Sequence, residues 1–243
     1  MEFLNPTWPA PAVIQARVTT RQGGISMGDY ASLNLASHVG DHPEAVRENR
    51  RRLSESLGLP QPPLWICQVH GVRVVDAGQP VSSLEADAVY ANQPNQICAV
   101  LTADCLPLLI CDRQGKEVAA IHAGWRGLAA GVIEAALQRF HAQPDDLLVW
   151  LGPAIGPKVF EVGEEVRDVF VRHHDAAVAC FSPTRPGHYL ADLYALARLR
   201  LSLLGIAGIY GGDFCTYTEA DRFFSYRRNS ATGRMATLIW MAY

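Results

Sequence analysis

The chain has little that would commit it to a partner by charge. Twenty-one Lys and Arg against 24 Asp and Glu leave its 243 residues with a formal net charge of -3 and a pI near 6.2. That balance removes the electrostatic case for a nucleic-acid partner, so each basic residue has to be judged in its own place. Long apolar runs are also missing. No stretch approaches the roughly 20 residues of a membrane span, and Met1-Glu-Phe-Leu-Asn-Pro6 has neither a basic n-region nor an apolar h-region. These absences predict a soluble, cytoplasmic protein with no membrane partner. Six cysteines are too sparse here for the disulfide ladder of a small secreted fold. Cys67, Cys98, Cys111 and Cys180 lie among apolar residues and are expected to be buried reduced thiols. Repeats, low-complexity tracts and linkers are absent.

What is there is enough for a full core: 49% of the residues are hydrophobic, sufficient for one large domain or two small ones. Val13 to Thr19 alternates as a half-buried strand, and a turn follows from Thr20 to Ser26. The loop from Gly28 to His42 is long for a connector, a length that often accompanies function. Asp41 and Pro43 open a helix with Val46, Leu53 and Leu57 on one face and Gly58 at its end, while the arginines at 47, 50, 51 and 52 form its solvated face. Strands are expected over Leu64–Val69, Val72–Val75, Ala86–Tyr90, Ile97–Leu101, Leu147–Leu151, Ile206–Tyr210 and Met235–Ala242. Helices are expected over Gly127–Phe140, Gly163–His173 and from Asp192 to Leu204, where Gly205 stops the last. Strands and helices intermix along residues 1–243, which predicts a single mixed α/β domain of layered helices and sheet.

Chemistry is concentrated between Thr102 and Gly127. Two short apolar strands flank a turn at Arg113-Gln-Gly-Lys116, with Cys105 before the first, His122 at the end of the second, and Ala123-Gly-Trp-Arg-Gly127 leading into a helix. His70, in Gln68-Val-His-Gly71, follows another apolar run. Two imidazoles and a thiolate suit a borderline-soft ion such as Zn(II), and three protein ligands leave a fourth position for water or substrate. None of the three forms a Cys-x-x-Cys or His-x3-His pair with another, so only the fold can bring them together. Each alone has an ordinary structural reading as a hydrogen-bonded histidine or a core thiol.

Thr19-Thr-Arg-Gln-Gly-Gly-Ile-Ser26, Ser32-Leu-Asn-Leu35, Gln68-Val-His-Gly71, Thr102-Ala-Asp-Cys105, Ile121-His-Ala-Gly-Trp-Arg-Gly127, Gly152-Pro-Ala-Ile-Gly-Pro157 and Phe224-Ser-Tyr-Arg227 resemble, in this order, the motifs of the bacterial YfiH family. The likeness spans nearly the whole chain and departs at Ala36, where glycine is expected. It implies an α/β/α sandwich with a mixed sheet, similar to the catalytic domain of cytotoxic necrotizing factor, and zinc held by His70, Cys105 and His122. It also implies phosphorolysis of adenosine, inosine, guanosine and S-methyl-5'-thioadenosine, and deamination of adenosine to inosine. The expected partners are then a purine nucleoside and phosphate, with a monomer as the working expectation. On this reading Arg21, Arg126 and Arg227 are the phosphate candidates, beside the loop from Gly124 to Gly127. Asn34 and Gln68 would hydrogen-bond sugar or base, and Asp104 would orient a ligand histidine or move a proton.

Two other enzyme classes compete. A copper polyphenol oxidase fits poorly, because the chain has eight histidines, no His-x-His, and methionines only at 1, 27, 235 and 241. The resemblance also implies a thiolate amide hydrolase, with Cys105 activated by His122 or His70, and for bacterial members the removal of a misincorporated L-serine from the peptidoglycan precursor UDP-MurNAc. A non-catalytic binding module ranks last. The His-x-Glu and Pro-Cys-x-x-Cys signature of zinc deaminases is absent, so deamination would need a different constellation.

Overall fold

A computed structural model describes residues 1–80 and 83–242. Its largest sheet has six strands in the order β12 (Gly208–Gly211), β8 (Leu147–Leu151), β6 (Leu106–Asp112), β7 (Val118–Ala123), β4 (Ala88–Ala91) and β3 (Val74–Asp76). The sheet is mixed: the two outer pairs run parallel and the three inner pairs antiparallel. β6 and β7 are buried along their whole length, which is why both read as continuous apolar runs and not as alternating ones. Pro107 is tolerated in a central strand because it sits near its start, one residue before the pairing with β8 begins.

Against one face of this sheet pack α2 (Trp125–Ala130), α3 (Val132–Leu137), α4 (Glu164–His173) and α5 (Leu193–Leu203), around Leu108, Ile110, Ile121, Leu128 and Ile133. Against the other lies a four-stranded sheet in the order β1 (Phe3–Leu4), β2 (Ile14–Thr19), β13 (Met235–Met241) and β5 (Cys98–Thr102). Val18, Val100 and Ile239 meet Leu109, Ala120 and Leu148 between the two sheets. The far face of the smaller sheet is covered by α1 (Pro43–Leu57), through Leu53 against Leu101 and Leu238. The fold is therefore the expected α/β class with a mixed sheet and helices on both outer faces, but two stacked sheets fill it where one was expected. A small sheet of β10 (Phe181–Arg185), β11 (His188–Ala191) and β9 (Glu161–Gly163) flanks the helices. It escapes a reading by periodicity because four of the five β10 residues are exposed. No helix among the described residues is long and apolar enough to cross a membrane.

Four local expectations need correction. Leu64–Val69 makes only isolated bridges, from Leu64 to Cys98 and Cys67 to Glu85, and is not a strand. The helix expected over Gly127–Phe140 starts earlier and breaks into α2 and α3 at Gly131, whose φ of 101° is left-handed. Cys67 is exposed, unlike Cys98, Cys111 and Cys180. On α1, Arg47, Arg51 and Arg52 do form a solvated face paired with Glu44, Glu48 and Glu55. Arg50 instead stacks 4.4 Å from the Trp65 ring and donates to Leu35 O. It braces the long loop from Gly28 to His42, as does Asn49, which donates to the carbonyls of Ser32 and Asn34.

Candidate metal centre and cavity

The β6–β7 hairpin brings the first two candidates together. Its register sets Leu106 opposite Ala123 and Pro107 opposite His122. Cys105, just before β6, thus faces Gly124, just after β7. His70 enters from a separate loop in a left-handed conformation, φ 60°, and the cause is Asp87. This buried carboxylate, next to β4, accepts N–H bonds from Val69, His70 and Gly71 at 3.3, 2.9 and 2.7 Å. It also pairs with His122 Nδ1 at 2.8 Å, while the His122 main-chain N–H donates to Asp87 O at 2.7 Å. One residue therefore fixes the main chain at His70 and the ring of His122, and leaves His122 Nε2 turned toward the thiol.

The ligand atoms of His70, Cys105 and His122 all lie within 4.8 Å of one another, with His70 Nε2 3.7 Å from Cys105 Sγ. A tetrahedral zinc with bonds of about 2.0–2.3 Å spaces its ligand atoms by about 3.3–3.6 Å, so the three need to close by only tenths of an ångström to over 1 Å. Gly124 makes the approach possible. A Cβ there would stand 2.7 Å from His70 Cδ2 and 3.0 Å from Cys105 Sγ. The donor set and its spacing fit a metal ion, and among the described residues it is the one such group.

Burial pushes the Cys105 thiol up, and this is outweighed by the His122 charge and by hydrogen bonds from both imidazoles, so it ionises below the usual thiol range. Burial likewise lowers His122, but the Cys105 thiolate and Asp87 raise it above the ordinary imidazole range. The two shifts describe a single event, a proton moving from sulfur to nitrogen. A thiolate is the form a metal takes.

The centre opens on a cavity of about 420 Å3. Trp125, Ile155, Phe160, Leu193 and Tyr226 give it apolar walls, and Arg126, Arg227, Arg234 and His38 give it positive or proton-donating ones. Of the phosphate candidates, Arg126 and Arg227 line it, the first stacked 4.4 Å from the Trp125 ring. Arg227 donates from Nη1 to Glu161 O at 3.0 Å and lies 5.3 Å from the Phe160 ring. Arg21 does not line the cavity. Its guanidinium donates to the carbonyls of Ala31 and Ala220 and stacks on Phe224, which makes it a brace for loops.

Asn34 is fully buried outside the cavity wall, its amide bonded to Ala36, Asp41 and the Arg234 N–H. It serves main chain, not sugar or base. Gln68 lines the cavity, but its amide is spent in a reciprocal pair with Leu101 N and O, both at 2.7 Å. Asp104 also lines it, at φ 93°, yet its two oxygens accept from Thr216 Oγ1 and the Arg227 N–H, both at 2.6 Å. The carboxylate that orients a ligand histidine is Asp87, not Asp104. Asp87, Arg234 and His38 were not singled out by pattern. A carboxylate set among alanines at the start of an apolar strand, Ala86-Asp-Ala-Val89, was the available signal for the first.

A mixed α/β protein with a His-Cys-His cluster on the wall of a cavity that is apolar for the most part and edged by arginines is the class these features define. Residues 15–242 match the family model described as multi-copper polyphenol oxidoreductase laccase. The chain is 55% identical over 240 residues to the purine nucleoside phosphorylase PA4543 of Pseudomonas aeruginosa, covering 98% of both chains. It is 53% identical over 241 residues to the purine nucleoside phosphorylase YfiH of Escherichia coli K12, covering 99% of both. Among solved structures it is similar to Neisseria meningitidis protein NMB0706, with a TM-score of 0.94, 48% identity and full coverage of both chains. It is also similar to YlmD from Geobacillus stearothermophilus, with a TM-score of 0.88 and 33% identity over 100% of this chain and 97% of that one. The chain belongs to the YfiH family of laccase-domain proteins.

Proposed function

We propose that the protein is a zinc-dependent purine nucleoside phosphorylase acting on adenosine, inosine, guanosine and S-methyl-5'-thioadenosine, with adenosine deamination as a second activity of the same site. The observation that carries the reading is the meeting of a three-ligand cluster with arginines around one cavity; the names of the relatives supply the substrate class. His70, Cys105 and His122 would hold the ion. When bound, it supplies positive charge and Lewis acidity beside the substrate.

The remaining work falls to the chain's own residues. In phosphorolysis a phosphate oxygen forms a bond to ribose C1′ as the bond from C1′ to the purine nitrogen breaks, and the base leaves with a proton. Such a step needs the phosphate fixed against C1′ and its charge matched. Arg126 and Arg227 reach the cavity from opposite segments and can match that charge. Trp125, Phe160 and Tyr226 offer flat apolar surface to a base. The Gly124 to Gly127 stretch, expected as a loop, is the N-cap and first residues of α2, and it contributes Arg126 more than a helix dipole, because α2 is only six residues long. Asp104 has both oxygens engaged and is not assigned the proton.

The decisive experiment is incubation of zinc-loaded protein with inosine, with and without phosphate. Hypoxanthine should appear only with phosphate. A second reading is favoured by the low-ionising Cys105 thiol, 3.7 Å from His70 Nε2: a thiolate amide hydrolase, for which L-serine removal from a peptidoglycan precursor is the candidate reaction. Its mark would be full activity after chelation, with an acyl group trapped on Cys105. Copper oxidase chemistry ranks below both, since one three-residue cluster among the described residues cannot supply the several copper sites such enzymes use.

A further inference from the structure

Arg234 is held firmly on the cavity wall. It precedes β13, and its Nη1 donates to its neighbours' carbonyls, Thr232 O at 2.8 Å and Gly233 O at 3.0 Å. Its main-chain N–H donates to Asn34 Oδ1 at 3.0 Å, and Asn34 is itself tied to Ala36 and Asp41. The preceding residue has no room for a side chain: a Cβ on Gly233 would stand 2.7 Å from the Phe224 ring and 2.9 Å from Asn34 Cβ. Among the described residues nothing accepts from Nε or Nη2, and the side chain lines the cavity.

Its charge is also not neutralised by a contact. No carboxylate forms an ion pair with Arg234 among the described residues; Asp104 and Cys105 act on it only through space, against a burial that lowers its pKa. The effect on its neighbour is visible. His38, on the same cavity, is held below the ordinary imidazole range first by burial and then by the charges of Arg234 and Arg50. A half-buried guanidinium on the cavity wall, 5.8 Å from the Tyr226 ring, with Nε and Nη2 unpartnered among the described residues and no counter-charge in contact, is an anion site waiting for its anion, and a planar fork suits a tetrahedral oxyanion.

We infer that Arg234 is the residue that anchors the phosphate, with Arg126 and Arg227 as its partners on the cavity wall. This rests on the phosphorolysis reading for the identity of the anion. It also explains the Ser32-Leu-Asn-Leu35 segment, whose asparagine acts on the Arg234 loop and not on a ligand.

The test uses metal-loaded protein, wild type, Arg234→Gln and Arg234→Lys. Each is titrated with inorganic phosphate by calorimetry, and inosine phosphorolysis is followed across phosphate concentrations. Arg234→Gln should raise the KM for phosphate at least tenfold and weaken the calorimetric Kd in step, while the KM for inosine changes less than twofold. Arg234→Lys, which keeps the charge and loses the fork, should fall between. Unchanged phosphate affinity in a folded Gln variant overturns the inference, and if that variant does not fold, unchanged affinity in the Lys variant does so. Wild-type protein that binds phosphate but cleaves no nucleoside removes the phosphorylase reading, and the calorimetry still decides Arg234. Wild-type protein that does not bind phosphate overturns both.

Discussion

If His70, Cys105 and His122 hold zinc as proposed, replacing Gly124 by alanine isolates one physical requirement of that centre, the close approach of main chain to its ligands. Gly124 has φ -59° and ψ 154°, a conformation open to any residue, so the substitution adds no backbone strain and tests space alone. The new methyl would stand 2.7 Å from His70 Cδ2, 3.0 Å from Cys105 Sγ and 3.3 Å from His70 Nε2. Carbon atoms settle at about 3.5–4.0 Å, so the imidazole must retreat by about 1 Å. Metal bonds tolerate errors of only about 0.2 Å. Zinc affinity should therefore fall by about 10–100-fold, the loss that comparable disturbances around a metal produce, with activity falling alongside. The fold should survive, because His70 is exposed and can swing outward without disturbing a core residue. Gly71→Ala is the matched control, since its Cβ would meet Asp87 Oδ2 at 3.5 Å and Val69 Cγ2 at 3.6 Å, ordinary contacts. Zinc competition against a chromophoric chelator reads both variants. Wild-type affinity in Gly124→Ala, or an equal loss in Gly71→Ala, would refute the spatial argument.

Two further outcomes are expected. Asp87→Asn removes a charged acceptor serving three N–H groups and His122 Nδ1, so it should cost about 2–4 kcal/mol in urea unfolding at about 1 kcal/mol or more per bond, and should weaken zinc retention measured by elemental analysis. A variant with full zinc content would show that His122 needs no such partner. Glu117 gives a pH dependence far from the site: burial raises its pKa, but Tyr90, the His141 main chain and side chain, and the Ala142 N–H outweigh it and hold it below the usual range. A lowered folded pKa means stability that is full above the unfolded value, about 4.3, and lost as pH falls through the folded one. The stability gap between wild type and Glu117→Gln should accordingly shrink between pH 7 and pH 3, and a gap that widens on acidification would reverse the sign of the argument.

The hairpin was legible because its two strands are apolar throughout and its turn residues are polar, and Cys105 and His122 became visible as the chemical residues at its ends. His70 stood out through the motif around it. What decides the rest is tertiary. Asp87 matters because it reaches two ligands 17 and 35 residues away, a relation no local pattern carries. Arg21 and Asn34 drew attention through the family motifs that hold them, yet a loop folded against a core must satisfy its own main chain first. Their donors and acceptors go to Ala31, Ala36, Ala220 and Arg234. Arg234 went unnoticed for the converse reason: nothing local separates it from any arginine preceding a strand, and its standing comes from a loop some 200 residues earlier in the chain. The second sheet between the helices was hidden because strands buried on both faces look alike whichever sheet they join.

The geometry of the centre is set at the far end of the hairpin. Asp112 collects the N–H groups of Gln114, Lys116 and Glu117, and Gly115 takes the left-handed turn at φ 71°, which together fix where β7 starts relative to β6. Side chains alternate along a strand, so a slip of one residue would exchange its two faces. With the observed register His122 lies opposite Pro107, and its main-chain N–H donates to Asp87 O. The same register sets the small Gly124 across from Cys105 and lets His70 close over both. A one-residue insertion in the Arg113 to Lys116 turn that shifted the pairing would therefore separate Cys105 from His122 while leaving every ligand in the sequence. The candidate metal centre is thus a property of strand register first and of side-chain identity second.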